Sequence, residues 1–210
     1  MSTFTTLASK IADDLARSDL TSQISDAILE AIRFYEGERF FFNEAHAQTA
    51  TLSTSAVAIA FSALPVRFLE IDRIRLALGS GSYDDLEHRS YVDLMHGQDA
   101  QATGQPIEFA LYADSVQFDV KANQNYTLVM DGLKSLGNTA SNTYTVSSSV
   151  SWFTDGRDLI RAAAKKSLYM NVTKDAEQAL IANQAEMLAL NMLRGKTNQR
   201  GSGYVVPTCW

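Results

Sequence analysis

The sequence predicts an α+β protein in which two helix pairs, one from each end of the chain, form a four-helix bundle. Apolar residues recur every three or four positions near both ends, and every second position in the middle. The first spacing is that of amphipathic helices, and the second is that of β-strands. We therefore expect a helical bundle from residues 1–36 and 155–195, an inserted antiparallel β subdomain at 37–154, and an extended C-terminal tail at 196–210.

Four amphipathic helices make up the predicted bundle. The first two carry apolar residues at helical spacing, namely Phe4, Leu7, Ala8, Ile11 and Leu15, then Ile24, Ala27, Ile28, Ala31, Ile32 and Tyr35. Gly37 is expected to end the second. Asp155 and Thr173 are predicted to cap a third and a fourth helix. The fourth is expected to close at Gly195. Its buried face is expected to consist of Ile181, Ala185, Leu188 and Met192.

The middle of the chain is predicted to form an antiparallel sheet. Residues 49–52 and 57–61 alternate in polarity and are joined through Ser53-Thr-Ser, so we expect a hairpin. A longer strand is expected at Phe68–Leu78, ending at Gly79-Ser-Gly81. Three more strands are expected around residues 107–111, 116–120 and 126–130.

Three intervening segments are less regular. Residues 90–95 are expected to form one or two helical turns, and residues 97–104 a mobile loop. Between residues 137 and 151, ten of fifteen residues are Ser, Thr or Asn, which fits either a flexible loop or an exposed hairpin. The length of this polar segment favours a functional protrusion.

Charge is divided unevenly along the chain. The net charge is −6, but residues 41–155 contain six basic and thirteen acidic residues, whereas residues 156–210 contain eight basic and four acidic ones. A net negative protein is not drawn non-specifically to nucleic-acid phosphates, so a DNA-coating role is disfavoured. The basic last quarter is either an ordinary solvated helix surface or a surface that meets an acidic partner or subunit.

Neither a signal peptide nor a membrane span is expected. Cys209 is the single cysteine, which excludes an internal disulfide and favours a reducing compartment. The N-terminus lacks a basic region followed by an apolar one. The uncharged stretch at residues 45–66 is interrupted repeatedly by Ser and Thr. Folding in the cytosol is therefore expected.

No catalytic, cofactor or metal site is expected. The sequence contains no nucleophile motif and no phosphate-binding loop. Three histidines lack a partner at metal-binding spacing: His46, His88 and His96. Asp84 and Asp85 with Glu87 either hold a cation or form an acidic loop on an acidic surface, and the absence of an EF-hand pattern favours the loop.

Residues 34–43, Phe-Tyr-Glu-Gly-Glu-Arg-Phe-Phe-Phe-Asn, are the most unusual local feature. Aromatic rings can stack nucleic-acid bases, but such platforms carry basic residues, and here two Glu precede the single Arg39. We expect the rings to fill the junction where the bundle meets the sheet.

Several segments resemble the adaptor proteins of tailed-phage head-to-tail connectors. The N-terminal ones are residues 27–36, then Arg39-Phe-Phe-Phe-Asn-Glu, a Thr-rich hairpin, and Leu64-Pro-Val-Arg-Phe-Leu-Glu-Ile-Asp. Gly104-Gln-Pro-Ile-Glu-Phe-Ala-Leu and Tyr126-Thr-Leu-Val-Met continue the resemblance, which covers roughly residues 5–195 in the family's order of helix pair, sheet and helix pair. The chain departs from the family at residues 120–125, where a proline pair is often found.

The resemblance implies a non-enzymatic structural virion protein at the head-to-tail interface, made in the host cytoplasm and needing no cofactor. Family members form rings, usually twelvefold, that dock beneath the portal protein, complete the head after DNA packaging and join it to tail proteins. It implies that DNA passes through the lumen without sequence-specific binding. An acidic middle region fits such a conduit, because a basic channel would retain phosphate.

Two other classes fit the same sequence. A non-enzymatic scaffolding or regulatory module would also lack catalytic groups. A wall-degrading hydrolase would need two opposed carboxylates in a cleft, for which the candidates are Glu36, Glu38 and Glu44.

The C-terminal residues are the predicted partner-binding site. Gly201-Ser-Gly203 provides a joint, and beyond it Tyr204, Val205, Val206 and Trp210 form an apolar cluster that a lone subunit gains nothing by exposing. The tail either packs on its own body or orders on the portal or a neighbouring subunit. We expect the second, with Tyr204 and Trp210 as anchors.

Overall fold

The computed structural model describes residues 3–97, 102–136 and 151–202, and it confirms a mixed α+β protein. The chain divides into two compact units, one from residues 1–43 with 144–210 and one from 44–143. Residues 37–43, which the sequence assigned to the β subdomain, thus lie in the helical unit. The segment at 137–150, expected to be a loop or a hairpin, lies outside the described residues.

The regular elements follow the chain in this order. The helices are α1 (Phe4–Leu15), α2 (Thr21–Tyr35), α3 (Tyr91–Gly97), α4 (Arg157–Leu168) and α5 (Ala176–Ser202). The strands are β1 (Glu44–Leu52), β2 (Ala58–Ala60), β3 (Phe68–Gly79), β4 (Ser82–Asp85), β5 (Glu87–His88), β6 (Thr103–Gly104), β7 (Glu108–Tyr112), β8 (Ser115–Phe118), β9 (Lys121–Ala122) and β10 (Tyr126–Lys134).

In the helical unit, α4 packs against α1, α2 and α5, and α1 packs against α2. The predicted apolar stripes of α1 and α2 supply core residues, among them Leu7, Ile11, Ile28 and Ile32, all of which are fully buried. Thr3 and Thr6 form a capping box at the start of α1, which satisfies two backbone N–H groups that a helix end leaves open. The N-terminal helix pair is therefore confirmed.

The predicted caps of the last two helices are wrong. Gly156, not Asp155, precedes α4. A Cβ on Gly156 would lie 3.1 Å from the Phe42 ring and 3.2 Å from Trp152, so close packing is what this position requires. Before α5, the Asp175 carboxylate accepts the N–H of Gln178 at 3.0 Å and caps the helix.

A π-helical turn, Tyr169–Thr173, follows α4 and contains Thr173. The Thr173 hydroxyl donates back to the Tyr169 carbonyl, so it does not cap α5. Lys174 then turns the chain in a left-handed conformation, with φ of +56°. The wider turn thus moves the cap of α5 by two residues, from Thr173 to Asp175.

The sheet unit contains a four-stranded sheet in the order β1-β10-β3-β4, a second in the order β2-β8-β7-β5, and the pair β6-β9. Most pairings are antiparallel, but β5 with β7 and β6 with β9 are parallel. One buried cluster fills the unit, with Leu52, Ile74, Leu76 and Phe118 among its fully buried members. The expected long strand at 68–78 and the strand beginning at Tyr126 are confirmed.

The predicted hairpin of residues 49–61 is wrong, because its two strands join different sheets. β1 pairs with β10, whereas β2 pairs with β8. The segment between β1 and β2 is held by residues just before β10. The Thr54 N–H donates to the Asn125 side chain at 2.8 Å, and the Ser55 N–H donates to the Ala122 carbonyl at 2.7 Å. Ser55 lies in this connection in a left-handed conformation, with a φ of +67°.

A β-bulge in β1 is organised by one carboxylate. Asp131 accepts the N–H of Ala47 at 2.7 Å and lies 2.8 Å from His46 Nδ1 and 3.0 Å from Arg75 Nη2. Ala47 has a φ of +52°. Although burial raises the pKa of Asp131, the Ala47 N–H, Arg75 and His46 outweigh it and hold that pKa below its usual 3.8. The His46 side chain thus contacts a carboxylate with a structural role.

Candidate docking surface

The second half of α5 is fastened to the segment that follows α2. Arg194 forms an ion pair with Glu38, and the N–H of Phe41 donates to the Thr197 hydroxyl at 3.3 Å. The Arg200 guanidinium lies 3.7 Å from the centre of the Phe41 ring, within cation–π distance. These contacts extend α5 through Ser202, so the predicted closure at Gly195 is wrong.

The aromatic segment packs within the helical unit. Phe40 and Phe42 stack with ring centres 5.4 Å apart, and Phe42 meets Trp152 edge-on at 4.9 Å. The Asn43 side chain fixes the local turn by accepting the Phe40 N–H and donating to the Glu38 carbonyl, each at 2.8 Å. Phe34 differs from the expectation, since 77% of its surface is exposed.

A buried carboxylate joins three helices of this unit. Glu186 on α5 is buried, accepts the Tyr35 hydroxyl at 2.6 Å and pairs with Lys166 of α4. Burial, together with the hydrogen bond to Glu186, raises the pKa of Tyr35 above its usual 10. Tyr35 is therefore a permanent donor, and the charge of Glu186 is compensated by Lys166.

The apolar stripe expected to be buried on α5 faces outward instead. Ile181 is 53% exposed, Leu188 64% and Met192 57%, and Ala185 is also exposed. The residues that α5 buries are Ala179, Ala182, Glu186 and Leu193. The signal was ambiguous because α5 carries apolar residues around most of its circumference, and small alanines form its inner face.

A groove of about 400 Å³ runs between α4 and α5 beside this stripe. Its apolar wall consists of Leu159, Ala162, Ile181, Ala185, Leu188 and Met192. Charged residues line its remaining edge: Asp155, Asp158, Arg161, Lys165 and Lys196. An apolar trough with a charged rim is suited to binding protein rather than to catalysis.

Each of the three acidic residues in the segment 84–87 has a hydrogen-bonding or ion-pair partner. Asp85 pairs with Arg73 at 2.6 Å, Asp84 accepts from the Gln105 amide at 2.8 Å, and Glu87 pairs with Arg89 at 3.0 Å. Because the carboxylates are held apart in this way, the structure gives no support to the cation alternative. Within the described ranges, no three His, Cys, Asp or Glu side chains converge as metal ligands.

The other sequence candidates are dispersed. His88 stacks on Phe109, with ring centres 4.9 Å apart, and His96 is exposed on α3. Of the three candidate carboxylates for hydrolysis, Glu38 is engaged by Arg194, Glu36 is buried, and Glu44 lies in the other unit. Tyr204, Val205, Val206 and Trp210 lie outside the described residues, as does Cys209.

Comparison of the sequence with known protein families matches the chain to a phage family. A family model described as SU10 adaptor protein matches residues 2–207, nearly the whole chain. The chain belongs to the SU10 adaptor family. No curated protein matches it. The adaptor is thus a structural component of the phage head-to-tail connection, and the family is generally non-enzymatic.

Two parts of the adaptor's surface were not predicted from its sequence. The sequence pattern assigns the outward apolar face of α5 to the core, and it places the anchoring residues Thr197 and Arg200 beyond the helix. One signal was available for the face: from Gln178 to Leu193 the only charged residue is Glu186. A solvated helix face of that length normally carries several charges. No helix in the described part of the adaptor is long and apolar enough to cross a bilayer.

Proposed function

We propose that the adaptor forms a twelvefold ring that docks beneath the portal protein, completes the head after DNA packaging and connects it to the tail proteins below. The family match over residues 2–207 carries this proposal. In this role the helix pairs act as a four-helix bundle that holds the ring together. DNA passes through the ring without sequence-specific contacts.

The distribution of charge and apolar surface supports a ring. Residues 41–155 are strongly acidic and residues 156–210 are basic, so copies that meet through different surfaces can bring opposite charges together. Among the described residues nothing covers the apolar face of α5, and such a face is suited to contact with another protein. An acidic passage repels DNA phosphates and lets DNA slide.

Mixing the purified protein with portal rings of the same phage tests the proposal. We expect complexes with one adaptor copy per portal subunit, seen as a ring of matching symmetry by electron microscopy. A stable dimer that leaves the portal rings bare would contradict the ring, and would favour the scaffolding or regulatory module instead.

We further propose that Tyr204, Val205, Val206 and Trp210 dock on the portal. Deleting residues 203–210 keeps every described residue of the helical unit, so the thermal midpoint should change little while portal binding weakens at least tenfold. The double variant Tyr204→Ala/Trp210→Ala should reproduce most of that loss. A deletion that unfolds the protein, or that binds portal normally, would contradict this assignment.

A further inference from the structure

We infer that the exposed face of α5 packs against α5 of a neighbouring copy, so that these helices stand side by side around the ring. The inference rests on the proposed ring and names the contact that closes it. It is carried by the spacing, exposure and charge of the outward residues of α5.

Two parallel seams run along this face. The first consists of Ile181, Ala185, Leu188 and Met192, and the second of Leu180, Gln184, Met187 and Asn191. All eight residues are exposed. Within each seam the steps are four, three and four residues, which follow the α-helical turn of 3.6 residues, so each seam runs along one side of the helix. The seams are offset by one residue, about 100° around the helix, so one helix can contact two neighbours.

The part of α5 that carries the seams has no exposed charged side chain. Between Glu177 and Arg194 the only charged residue is Glu186, which is buried and paired with Lys166. Interface cores are depleted of charge in the same way. The amides of Gln184 and Asn191 are the polar groups of the second seam, and they can exchange hydrogen bonds with a facing helix.

A second copy is the occupant that this geometry favours. A closed ring needs two different surfaces on each subunit, because every copy meets one neighbour on either side. The two seams supply that pair: the first seam of one copy meets the second seam of the next. A partner of another kind, bound from one direction, would leave one seam uncovered.

The size of the contact indicates that copies of the adaptor need the portal as a template to form a ring. The seams span residues 180–192, about 18 Å of helix at 1.5 Å per residue. A strip of that length and about one helix diameter wide covers roughly 200 Å², well below the ~800 Å² per partner of a typical stable interface. Two copies alone should therefore associate weakly, whereas copies gathered on a portal gain from effective concentration and from making two contacts each.

Acidic substitutions test each seam separately. Ile181→Glu/Leu188→Glu introduces charge into the first seam, and Leu180→Glu/Met187→Glu into the second. Val92→Glu/Met95→Glu is the matched control, since both residues are exposed on α3 in the sheet unit. Circular dichroism checks that each variant folds. The number of adaptor copies bound per portal ring, measured by native mass spectrometry, should be at least tenfold lower for both seam variants than for the control. Complete rings from both seam variants would overturn the inference.

Cross-linking tests the facing of unlike seams. In a Cys209→Ser background, Leu188→Cys and Met187→Cys each place one thiol in one seam. On portal rings, a short bismaleimide should link copies only when the two variants are mixed, since residue 188 of one copy faces residue 187 of the next. Cross-links between copies of a single variant, or no cross-links in the mixture, would overturn the arrangement. Wild-type protein that does not bind portal would instead overturn the proposed function.

Discussion

The guanidinium of Arg200 lies over the ring of Phe41, 3.7 Å from its centre, and ties the last turn of α5 to the segment that follows α2. These residues are separated by most of the chain, yet both belong to the helical unit. Cation–π contacts at exposed sites contribute about 0.5–1 kcal/mol. That is enough to hold a helix end, which otherwise frays.

Replacing Arg200 by Ala should therefore loosen the end of α5 without unfolding the unit. Hydrogen–deuterium exchange of amides in residues 196–202 should speed up by about two- to fivefold, the equivalent of about 0.5–1 kcal/mol. Asn198→Ala, an exposed change on the same turn, is the control and should leave exchange nearly unchanged. Equal exchange in both variants would show that Arg200 does not hold this turn.

Gly132 should not tolerate a side chain. A Cβ at this position would lie 2.2 Å from the Glu70 carbonyl oxygen and 3.1 Å from Ile71 Cα, all backbone atoms of the paired strand β3. The sheet would have to separate, so Gly132→Ala should lower the free energy of unfolding by about 2 kcal/mol or more. Gly104→Ala is the control, because its Cβ would meet only Val120 at 3.8 Å. Chemical denaturation of both variants measures the difference.

Ala47→Gly should stabilise the protein. Ala47 has a φ of +52°, where an L-residue with a side chain is strained by about 1–2 kcal/mol. Glycine removes that strain but loses more backbone freedom on folding, so a net gain of about 0.5–1 kcal/mol is expected. Ala50→Gly on the same strand should have the opposite sign. Thermal denaturation distinguishes them, and a destabilised Ala47→Gly would refute the strain argument.

Asp14 should contribute stability that depends on pH. Its carboxylate lies 2.8 Å from Arg161 and 3.2 Å from Lys165. Burial raises the pKa of Asp14, but the hydrogen bonds from Arg161 and Lys165 outweigh it, so the folded-state pKa lies below 3.8. The stabilisation is therefore complete above about pH 4 and is lost as pH falls through the lowered pKa.

The variant Asp14→Asn isolates this contribution. It should be about 1 kcal/mol less stable than wild type at pH 7, and the two unfolding free energies should converge as the pH drops below 3.8. Asp13→Asn on the same helix is the control. A difference that persists unchanged into acid would mean that the ion pair is not its source.

The sequence was informative where one local rule decided the outcome. The stripes of α1 and α2 each have a single buried face, so period and burial agree. The hairpin failed because β1 and β2 find their partners far along the chain, in β10 and β8, and no local pattern encodes a choice between sheets.

The error on α5 has a different cause. Gly195 does not adopt the left-handed φ with which a glycine ends a helix. The helix continues past it because Arg194, Thr197 and Arg200 are held by contacts with Glu38 and Phe41. The larger apolar residues were assigned to the core, but the space beside α4 accepts alanines. Apolar periodicity identifies a face that avoids water without specifying whether the same chain or another one covers it.

The end of α5 at Ser202 sets a limit on where the proposed C-terminal anchors can bind. Eight residues follow, and a fully extended chain advances at most about 3.5 Å per residue, so Trp210 reaches no farther than about 28 Å from the helix end. The helix end is itself held by Arg200 and Thr197, so this radius is measured from a fixed point on each copy. The proposed receiving surface on the portal must therefore lie within that radius of every α5.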